Sequence, residues 1–346
     1  MGLCACGSKA NIPDEPVAVP TAEPTPEPTP EPTPTPEPVL KQDGEAYLDG
    51  VLVPTYEGNF LVSEALETLG VTDGTWRGKE VSLTEKYMSI DDFCRTMEIG
   101  MLEDELDGTV YCTSAAGDWT YPEGKHVALM MYHGISNSGG DEANLFMRTN
   151  EFEAQVQWIL DNGYTPIWFE DLWNLDNIEK PVILTFDDGW ANLYTNLKPI
   201  IEKYNVKVTV FINTKDLDHE TSGNHMSGPQ MMEMYETGLV SMQSHCVKHE
   251  VLSKLTYNEQ KYEIEQSKLD ITRFFKKAPL ALAYPEGGYN NDTLELLKGN
   301  YKFAAIMNSG RGYWDSSDNP YLIERYFPNR GIPIEVYAGW LEETFN

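Results

Sequence analysis

Residues 182–189 have the sequence Val-Ile-Leu-Thr-Phe-Asp-Asp-Gly, a short apolar run that ends in two carboxylates and a turn residue. An uninterrupted apolar run of this length predicts a strand that is buried on both faces, as strands of a parallel sheet are. The two acidic side chains are then predicted to stand at the carboxyl end of that strand. In a parallel sheet, this is the edge at which the polar ends of several strands come together.

The sequence on either side repeats this pattern of short apolar runs separated by amphipathic segments. The other predicted strands are 127–132, 206–212, 239–242 and 280–283. The predicted helices between them include 152–160, 197–204 and 258–275. Strands that alternate with helices predict an α/β fold with a parallel sheet. Residues 126–346 are therefore predicted to form a (β/α) barrel, in which catalytic groups stand at the strand ends.

A smaller unit is predicted at residues 45–118. Residues 47–50 suggest a strand that ends in a turn, and 61–66 a short helix with Ser63 as its N-cap. The same order follows again, with a strand at 81–83 and a second short helix opening at 88–93. This layout resembles the small α/β domain at the N-terminus of some copper amine oxidases. We interpret it as an accessory domain that acts as a spacer or binds the cell wall.

The N-terminal 40 residues have a different composition. Within residues 1–12, the sequence Leu-Cys-Ala-Cys at 3–6 resembles a bacterial lipobox, with Cys6 as the lipidated residue and the signal peptide missing; two chance cysteines are the alternative. Residues 13–40 are rich in Pro, Glu and Thr, which favours an extended, disordered linker. A tether suits an extracellular lipoprotein on the surface of a bacterium, although a linker between two domains would look similar.

The charge balance limits the class of partner. With 25 basic and 55 acidic residues, the net charge is −30, which disfavours nucleic acid and anionic membranes as partners. Membrane association is expected only through the lipid, and a monomer is favoured. The five cysteines are irregularly spaced and do not form a disulfide framework, although Cys94 and Cys112 could pair.

Two predicted strand ends carry groups that bind metals. Asp187 and Asp188 are adjacent carboxylates that raise each other's pKa, and a divalent cation bound to one of them would leave the other as a base; a solvated turn is the alternative. His245 and His249 are spaced i, i+4, which places both on one side of the segment if it is helical. A surface pair is the alternative for these histidines. Because both motifs follow strands of one predicted barrel, the two histidines and one of the carboxylates are predicted to form an open metal site.

The motif Thr-Phe-Asp-Asp-Gly at 185–189, followed by Ser-His-x-x-x-His at 244–249, resembles the polysaccharide deacetylases of carbohydrate esterase family 4. The similarity extends over about residues 126 to 345. It implies the distorted (β/α) barrel of that family, with Asp188, His245 and His249 as ligands of a divalent metal. Zinc is the expected metal, and cobalt, nickel or iron are alternatives. By the same resemblance, Asp187 is the base that takes a proton from the attacking water.

The third strand end, residues 283–289, resembles the family motif that forms the wall of the active-site groove. This chain has Pro285 and Glu286 where many members have Pro-Tyr. The backbone N–H of Glu286 can still stabilise an oxyanion, because that role does not depend on the side chain. Tyr284, Pro285 and Tyr289 are predicted to line the groove. An ordinary turn is the alternative for this segment.

Two further assignments depend on a subgroup of the family. No histidine follows His249 in this sequence. Most members of the family have a histidine near the C-terminus that acts as the acid in the reaction. The sequence Met-Tyr-His at 131–133 instead resembles the first strand of poly-N-acetylglucosamine deacetylases, which implies that His133 protonates the leaving amine; a packing role is the alternative. Arg325, in a Leu-x-Arg segment at 321–326, could keep Asp187 ionised, orient the groove or form a structural ion pair.

The predicted function is therefore metal-dependent removal of N-acetyl groups from a polysaccharide that contains N-acetylglucosamine. An exopolysaccharide, peptidoglycan or a chitin-like polymer would each satisfy this prediction. Two alternatives stay open at this point. One is an acetylxylan O-deacetylase, and the other is a surface glycan-binding protein that has lost its activity.

Overall fold

The computed structural model describes residues 39–138, 145–221, 223–307 and 311–346. The predicted lipid attachment at Cys6 and the Pro-rich segment up to residue 38 lie outside these residues. Residues from Leu40 to Asn346 form one compact unit with two main sheets. Among the described helices, none combines the length and the apolar character needed to cross a membrane.

The first sheet contains six strands in the spatial order β6-β3-β2-β1-β8-β7. Its strands are β1 (Gln42–Leu48), β2 (Val51–Tyr56), β3 (Asn59–Leu61), β6 (Tyr87–Ser89), β7 (Gly100–Glu103) and β8 (Val110–Thr113). The two short helices that pack on it are α1 (Val62–Thr68) and α2 (Ile90–Thr96). A separate two-stranded ribbon consists of β4 (Thr75–Trp76) and β5 (Lys79–Glu80).

Two details predicted for this region are wrong. Ser63 does not cap α1, because β3 runs directly into the helix and Leu61 occupies the N-cap position without a side-chain hydrogen bond. Residues 81–83 do not form a strand, and the strand before the second helix is β6. Ser89 caps α2 instead, where its Oγ accepts a hydrogen bond from the Asp92 N–H at 3.1 Å.

The second sheet contains the predicted parallel strands. Its strands are β9 (His126–Tyr132), β12 (Thr165–Pro166), β13 (Pro181–Phe186), β14 (Val208–Ile212), β15 (Val240–Ser244), β16 (Ala281–Ala283), β17 (Phe303–Ala305) and the antiparallel β18 (Tyr313–Asp315). The helices are α3 (Thr149–Asp161), α4 (Lys198–Tyr204), α5 (Gly228–Tyr235), α6 (Tyr257–Phe275), α7 (Asn291–Lys298) and α8 (Ile334–Thr344). A small pair, β10 (Gly134–Ile135) and β11 (Phe146–Met147), follows β9.

The apolar runs form strands because both faces of this sheet are covered. All six residues of β13 are buried. Val182 and Leu184 pack in the core between the sheet and its helices, whereas Ile183 points to the other side. There it packs with Phe211, Phe303 and other residues in a second core inside the curled sheet.

The curled sheet is closed by an irregular segment rather than by a regular strand. The Tyr326 N–H donates to the Leu129 carbonyl at 2.8 Å, and the Met131 N–H donates back to the Tyr326 carbonyl at 2.7 Å. On the other side, the Ile323 N–H donates to the Ala304 carbonyl at 3.0 Å. Residues 323–326 therefore lie between β9 and β17. This arrangement confirms a distorted (β/α) barrel and positions Arg325 at the closure.

The small sheet packs directly on the barrel. Asp104, just after β7, forms an ion pair with Arg273 of α6, with Nη2 and Oδ1 2.6 Å apart. The Ala278 N–H donates to Thr113 Oγ1 at 3.0 Å. Cys94 and Cys112 are buried together in the core of the small sheet as free thiols rather than as a disulfide.

Candidate active site

Asp187 lies at the carboxyl end of β13, where its N–H donates to the Tyr132 carbonyl at 2.9 Å. Its buried carboxylate accepts two hydrogen bonds from Arg325, Nη1 to Oδ1 at 2.7 Å and Nη2 to Oδ2 at 2.8 Å. A two-pronged contact of this kind is the strongest arrangement available to Arg and a carboxylate. Burial alone would raise the pKa of Asp187, but the charge and hydrogen bonds of Arg325 outweigh it and hold this pKa below its ordinary value.

The guanidinium of Arg325 is fully buried and is fixed on several sides. Its Nε donates to the Ile306 carbonyl at 3.1 Å, and Nη1 also donates to Thr185 Oγ1 at 3.0 Å. The group lies over the ring of Phe211, 5.6 Å from its centroid. The sequence left several roles open for Arg325. The structural ion pair and the stabilisation of ionised Asp187 are both provided by this single contact.

Asp188 faces both histidines of the predicted metal site. Its Oδ1 lies 3.4 Å from His245 Nε2 and 3.2 Å from His249 Nε2. The three ligand atoms lie within 4.8 Å of one another, the one such group among the described residues. Asp188 has a φ of 72°, which turns its side chain away from the line of the strand, and Trp190 Nε1 donates to its other oxygen at 2.9 Å.

The hydrogen bonds of His245 suit a metal ligand. The Nδ1 atom lies 2.7 Å from the Ala283 carbonyl, which can only accept, so Nδ1 carries the proton. Nε2 is then the nitrogen that faces Asp188 and the candidate cation position, as is usual for a ligating histidine whose other nitrogen is held by a carbonyl. One carboxylate oxygen and two imidazole nitrogens fit an open zinc-type site.

The electrostatics of this group also favour a cation. Burial opposes ionisation of Asp188, but the contacts with His245 and His249 lower the pKa of its carboxyl below the ordinary value. The contact with Asp188 raises the pKa of His249, and burial opposes that rise. A divalent cation would replace the protons that these charges attract.

The segment that carries the two histidines is a loop, so the helical arrangement considered from their spacing is wrong. Cys246 and His249 have positive φ values of 66° and 62°, and these bring the two rings to a centroid distance of 4.8 Å. The carboxylate of Glu263, on α6, accepts hydrogen bonds from the Val247 and Lys248 N–H groups at 2.8 and 2.9 Å. Sequence reasoning missed Glu263, because nothing local relates this helix residue to the loop.

His133 follows β9 and is largely buried beside the two carboxylates. Its ring meets that of Phe327 edge to face at 5.6 Å, and its Nδ1 has no hydrogen-bond partner among the described residues. Burial lowers the pKa of His133, whereas the charges of Asp187 and Asp188 oppose that change. An unpartnered nitrogen is unusual for a buried histidine, and the role of His133 as an acid stays a prediction.

The third strand end separates into a buried part and an exposed part. Tyr284 and Pro285 are buried, and the Tyr284 hydroxyl donates to the Tyr321 carbonyl at 2.7 Å. Neither side chain therefore forms the groove surface as predicted. Tyr289 is 36% exposed and packs on Tyr284 at 5.1 Å, and its place in the groove stays a prediction. Glu286 is exposed with a φ of 52°, and its charge contributes to the raised pKa of His249.

Comparisons of sequence agree with this geometry. The family model for polysaccharide deacetylase matches residues 174–301. The putative polysaccharide deacetylase YxkH of Bacillus subtilis is 31% identical over 220 residues, which cover 62% of this chain and 75% of that protein. A poly-beta-1,6-N-acetyl-D-glucosamine N-deacetylase of Staphylococcus aureus is 26% identical over 178 residues, or 47% of this chain and 61% of that protein.

Solved structures give the same fold. The Streptococcus pyogenes deacetylase PplD, in complex with acetate, superposes with a TM-score of 0.58 at 29% identity, over 63% of this chain and 98% of that one. The polysaccharide deacetylase BC0361 of Bacillus cereus superposes with a TM-score of 0.57 at 22% identity, over 84% of this chain and 82% of that one. The barrel, the sequence similarity and the two motifs agree, and this chain belongs to the polysaccharide deacetylase family of hydrolases.

Proposed function

We propose that this chain is a metal-dependent hydrolase that removes N-acetyl groups from a polysaccharide containing N-acetylglucosamine. One observation carries the proposal. Asp188 Oδ1 lies 3.4 and 3.2 Å from the Nε2 atoms of His245 and His249, and the neighbouring Asp187 is held in its charged form by Arg325. A metal site beside a buried, ionised carboxylate suits hydrolysis better than simple binding of a glycan.

Asp188, His245 and His249 would hold the cation, with zinc expected and cobalt, nickel or iron as alternatives. A divalent cation at this position supplies Lewis-acid polarisation of the acetamide carbonyl and makes the attacking water more acidic. The Ala283 carbonyl fixes the orientation of the His245 ring through Nδ1, so Nε2 already faces the proposed cation position.

Asp187 acts in the proposed reaction as the base that takes a proton from the attacking water. The base must be charged before the reaction, and the two hydrogen bonds from Arg325 keep it so despite its burial. The same contact fixes the orientation of the carboxylate. Positioning of this kind is an important contribution to general-base catalysis.

His133 and Glu286 would complete the reaction on the side of the leaving group. The Glu286 N–H donates to the oxyanion of the tetrahedral intermediate, and His133 protonates the departing amine. Burial disfavours the protonated form of His133, and the nearby carboxylates Asp187 and Asp188 favour it. The products are acetate and a free amino group on the sugar.

The substrate class is supported by two observations. A relative from Staphylococcus aureus is named as an N-deacetylase of poly-beta-1,6-N-acetyl-D-glucosamine. The net charge of −30 disfavours polyanions and is compatible with a neutral polymer or with the cationic product.

The test measures acetate release from poly-N-acetylglucosamine, chitooligosaccharides, peptidoglycan and acetylxylan by the zinc-loaded and the chelated chain. We expect release from at least one N-acetylated polymer by the loaded form, and a loss of about 100-fold or more in Asp187→Asn. Asp161→Asn, an exposed carboxylate at the end of α3, is the matched control.

Two outcomes would replace the proposal. Faster release from acetylxylan than from every N-acetylated polymer would indicate an O-deacetylase. Glycan binding without any acetate release, unchanged in Asp187→Asn, would indicate a binding protein that has lost its activity.

A further inference from the structure

Three neighbouring cavities lie along the seam between the small sheet and the barrel. Their volumes are about 250, 390 and 230 Å³. Glu170 and Lys277 line both the first and the second cavity, and Arg77 and Trp173 line both the second and the third. Each cavity therefore shares wall residues with the next, and the three together are called the row.

This row lies at the opposite end of the barrel from the metal site. Val240, the first residue of β15, lines the first cavity, whereas Asp188 follows the last residue of β13. Because β13, β14 and β15 run parallel, their amino and carboxyl ends lie on opposite edges of the sheet. A ligand in this row would therefore occupy a site separate from the catalytic groove.

Aromatic rings line every cavity of the row. Trp168 and Tyr235 line the first, Trp76 and Trp173 the second, and Tyr121 the third. All five side chains are half-buried, so part of each ring remains open to a ligand. Such rings offer an apolar surface that suits the C–H face of a sugar. The indole N–H groups of Trp76 and Trp168 are already used, since they donate to the Met97 and Val208 carbonyls at 2.9 and 3.0 Å.

A polar network with an unused oxygen stands at the junction of the first two cavities. Glu170 Oε1 accepts hydrogen bonds from Ser241 Oγ at 2.6 Å and from Gln243 Nε2 at 3.1 Å. Gln243 is itself fixed, since its Oε1 accepts from the Leu280 and Ala281 N–H groups at 2.9 and 2.8 Å. Glu170 Oε2 is sealed from solvent and has no hydrogen-bond partner among the described residues. A buried carboxyl oxygen without a partner is costly, and a small rotation of the Glu170 side chain on binding would bring it to a ligand hydroxyl or amide.

The charges around the row are mixed. Lys277 and Arg77 lie in the same walls as Glu170, Glu236 and Asp73. Walls of both signs do not select a polyanion or a polycation, and they supply donors and acceptors to a neutral polar ligand. Three neighbouring cavities suit several sugar residues of one chain better than a single small molecule.

We propose that this row of cavities is a second glycan-binding site, which holds neutral N-acetylated sugar residues of a polymer at a distance from the metal centre. The choice of ligand class rests on the proposed function, whereas the site itself rests on the aromatic rings and on Glu170. Such a site would keep one part of a long polymer bound while another part enters the catalytic groove. It would raise the effective concentration of acetyl groups at the metal.

The test uses the full chain after removal of metal, so that no ligand is consumed. The hexamer of N-acetylglucosamine is titrated while the indole N–H signals of the tryptophans are followed by NMR, with Trp173→Phe used to assign the signal of Trp173. We expect the Trp173 signal to shift on titration. Trp173→Ala should weaken the affinity of this site about tenfold, the loss typical of one aromatic contact.

Trp173→Phe keeps a ring at this position and should bind within about twofold of the unmodified chain. Tyr257→Ala removes an exposed ring outside the row and is the matched control. An unchanged Trp173 signal at millimolar hexamer, or equal affinity in Trp173→Ala, would overturn the proposal and leave trapped water as the partner of Glu170. The first readout uses the unmodified chain, so it does not depend on the folding of a variant.

Acetate release from the N-acetylglucosamine dimer by the zinc-loaded chain separates this proposal from the previous one. The dimer is too short to span both sites, so Trp173→Ala should release acetate at the rate of the unmodified chain. Absence of release from the unmodified chain on every substrate would remove the proposed activity, and the binding result would still decide the second site.

Discussion

Arg325 is buried together with the carboxylate it holds, so neither group has water to replace a lost partner. We expect Arg325→Met to lower kcat about 100-fold or more with little change in KM, because a misplaced and partly protonated Asp187 impairs the chemical step. The free energy of unfolding should fall by about 3–5 kcal/mol, as when one partner of a buried pair is removed. Steady-state kinetics and urea unfolding provide the measurements.

Arg311→Met is the control for this prediction, since Arg311 pairs with Asp318 near the surface. It should leave kcat unchanged and cost no more than about 1 kcal/mol. Normal kcat in Arg325→Met would show that Asp187 does not need the guanidinium for its function.

His133 is a residue whose proposed role depends on the leaving group. We expect His133→Ala to reduce acetate release from an N-acetyl substrate by about 100-fold to 10,000-fold, because an amine must be protonated as it leaves. Hydrolysis of an aryl acetate should fall much less, because a phenolate leaves without a proton. The ratio of the two rates in each variant is the measurement.

His219→Ala is the matched control, since His219 is 58% exposed on its side chain and lies outside the metal group. An equal loss on both substrates would show that His133 acts by binding or packing rather than as an acid.

Helix α6 supports the loop that carries the histidines of the candidate metal site. Glu263 holds the loop between His245 and His249 through two backbone N–H groups. We expect Glu263→Ala to weaken metal binding about 10-fold to 100-fold, the effect typical of groups that orient metal ligands. Competition with a chelator of known affinity measures the change.

Glu265→Ala removes an exposed carboxylate from the same helix and should leave metal affinity unchanged. Glu263→Gln keeps an oxygen acceptor and should lie between the two variants. Metal affinity in Glu263→Ala equal to that of the unmodified chain would mean that the loop holds its shape without the carboxylate.

The strands of the barrel could be predicted because their apolar runs are continuous and end in turn residues. The run at 182–186 matches β13 within a residue, and the runs at 127–132 and 280–283 match β9 and β16 equally well. Burial on both faces produces such runs, and this signal is local. The prediction that polar groups meet at the strand ends follows from parallel topology alone.

The remaining parts of the site depend on contacts between distant positions. The partner of Asp187 is 138 residues away at Arg325, and the loop support at Glu263 comes from another element. The i, i+4 spacing of His245 and His249 is compatible with a helix. Spacing alone does not reveal the positive φ of Cys246, which makes this segment a loop. Tyr284 was predicted to line the groove, but its side chain is buried and its hydroxyl donates to the Tyr321 carbonyl. No local pattern contains this information.

For the whole molecule, the ion pair between Asp104 and Arg273 fastens the small sheet to the barrel. The hydrogen bonds from Arg273 and from the Leu106 N–H lower the pKa of Asp104 to about 2. An unfolded Asp has a pKa of about 3.9, so this pair contributes its full stability above that pH and loses it as the pH falls towards about 2. We expect the melting temperature to fall between pH 4 and pH 2, and by less in Asp104→Asn.

Calorimetry at pH 7, 4, 3 and 2 provides this measurement. Asp161→Asn, at an exposed position, should follow the unmodified chain at every pH. If Asp104→Asn showed the same loss between pH 4 and pH 2 as the unmodified chain, the acid sensitivity would have to come from other carboxylates.

Four residues of the site, Asp188, Cys246, His249 and Glu286, have positive φ values although none is glycine. Each such torsion costs on the order of 1–3 kcal/mol and persists only where the surrounding fold imposes it. The surrounding fold therefore imposes the shape of the candidate metal site. Exchange of one cation for another would then keep the same three ligands on a preformed site, without a refolding step. Zinc, cobalt and nickel can then be compared on one unchanged scaffold, and a chelated sample should regain activity as fast as metal is mixed in.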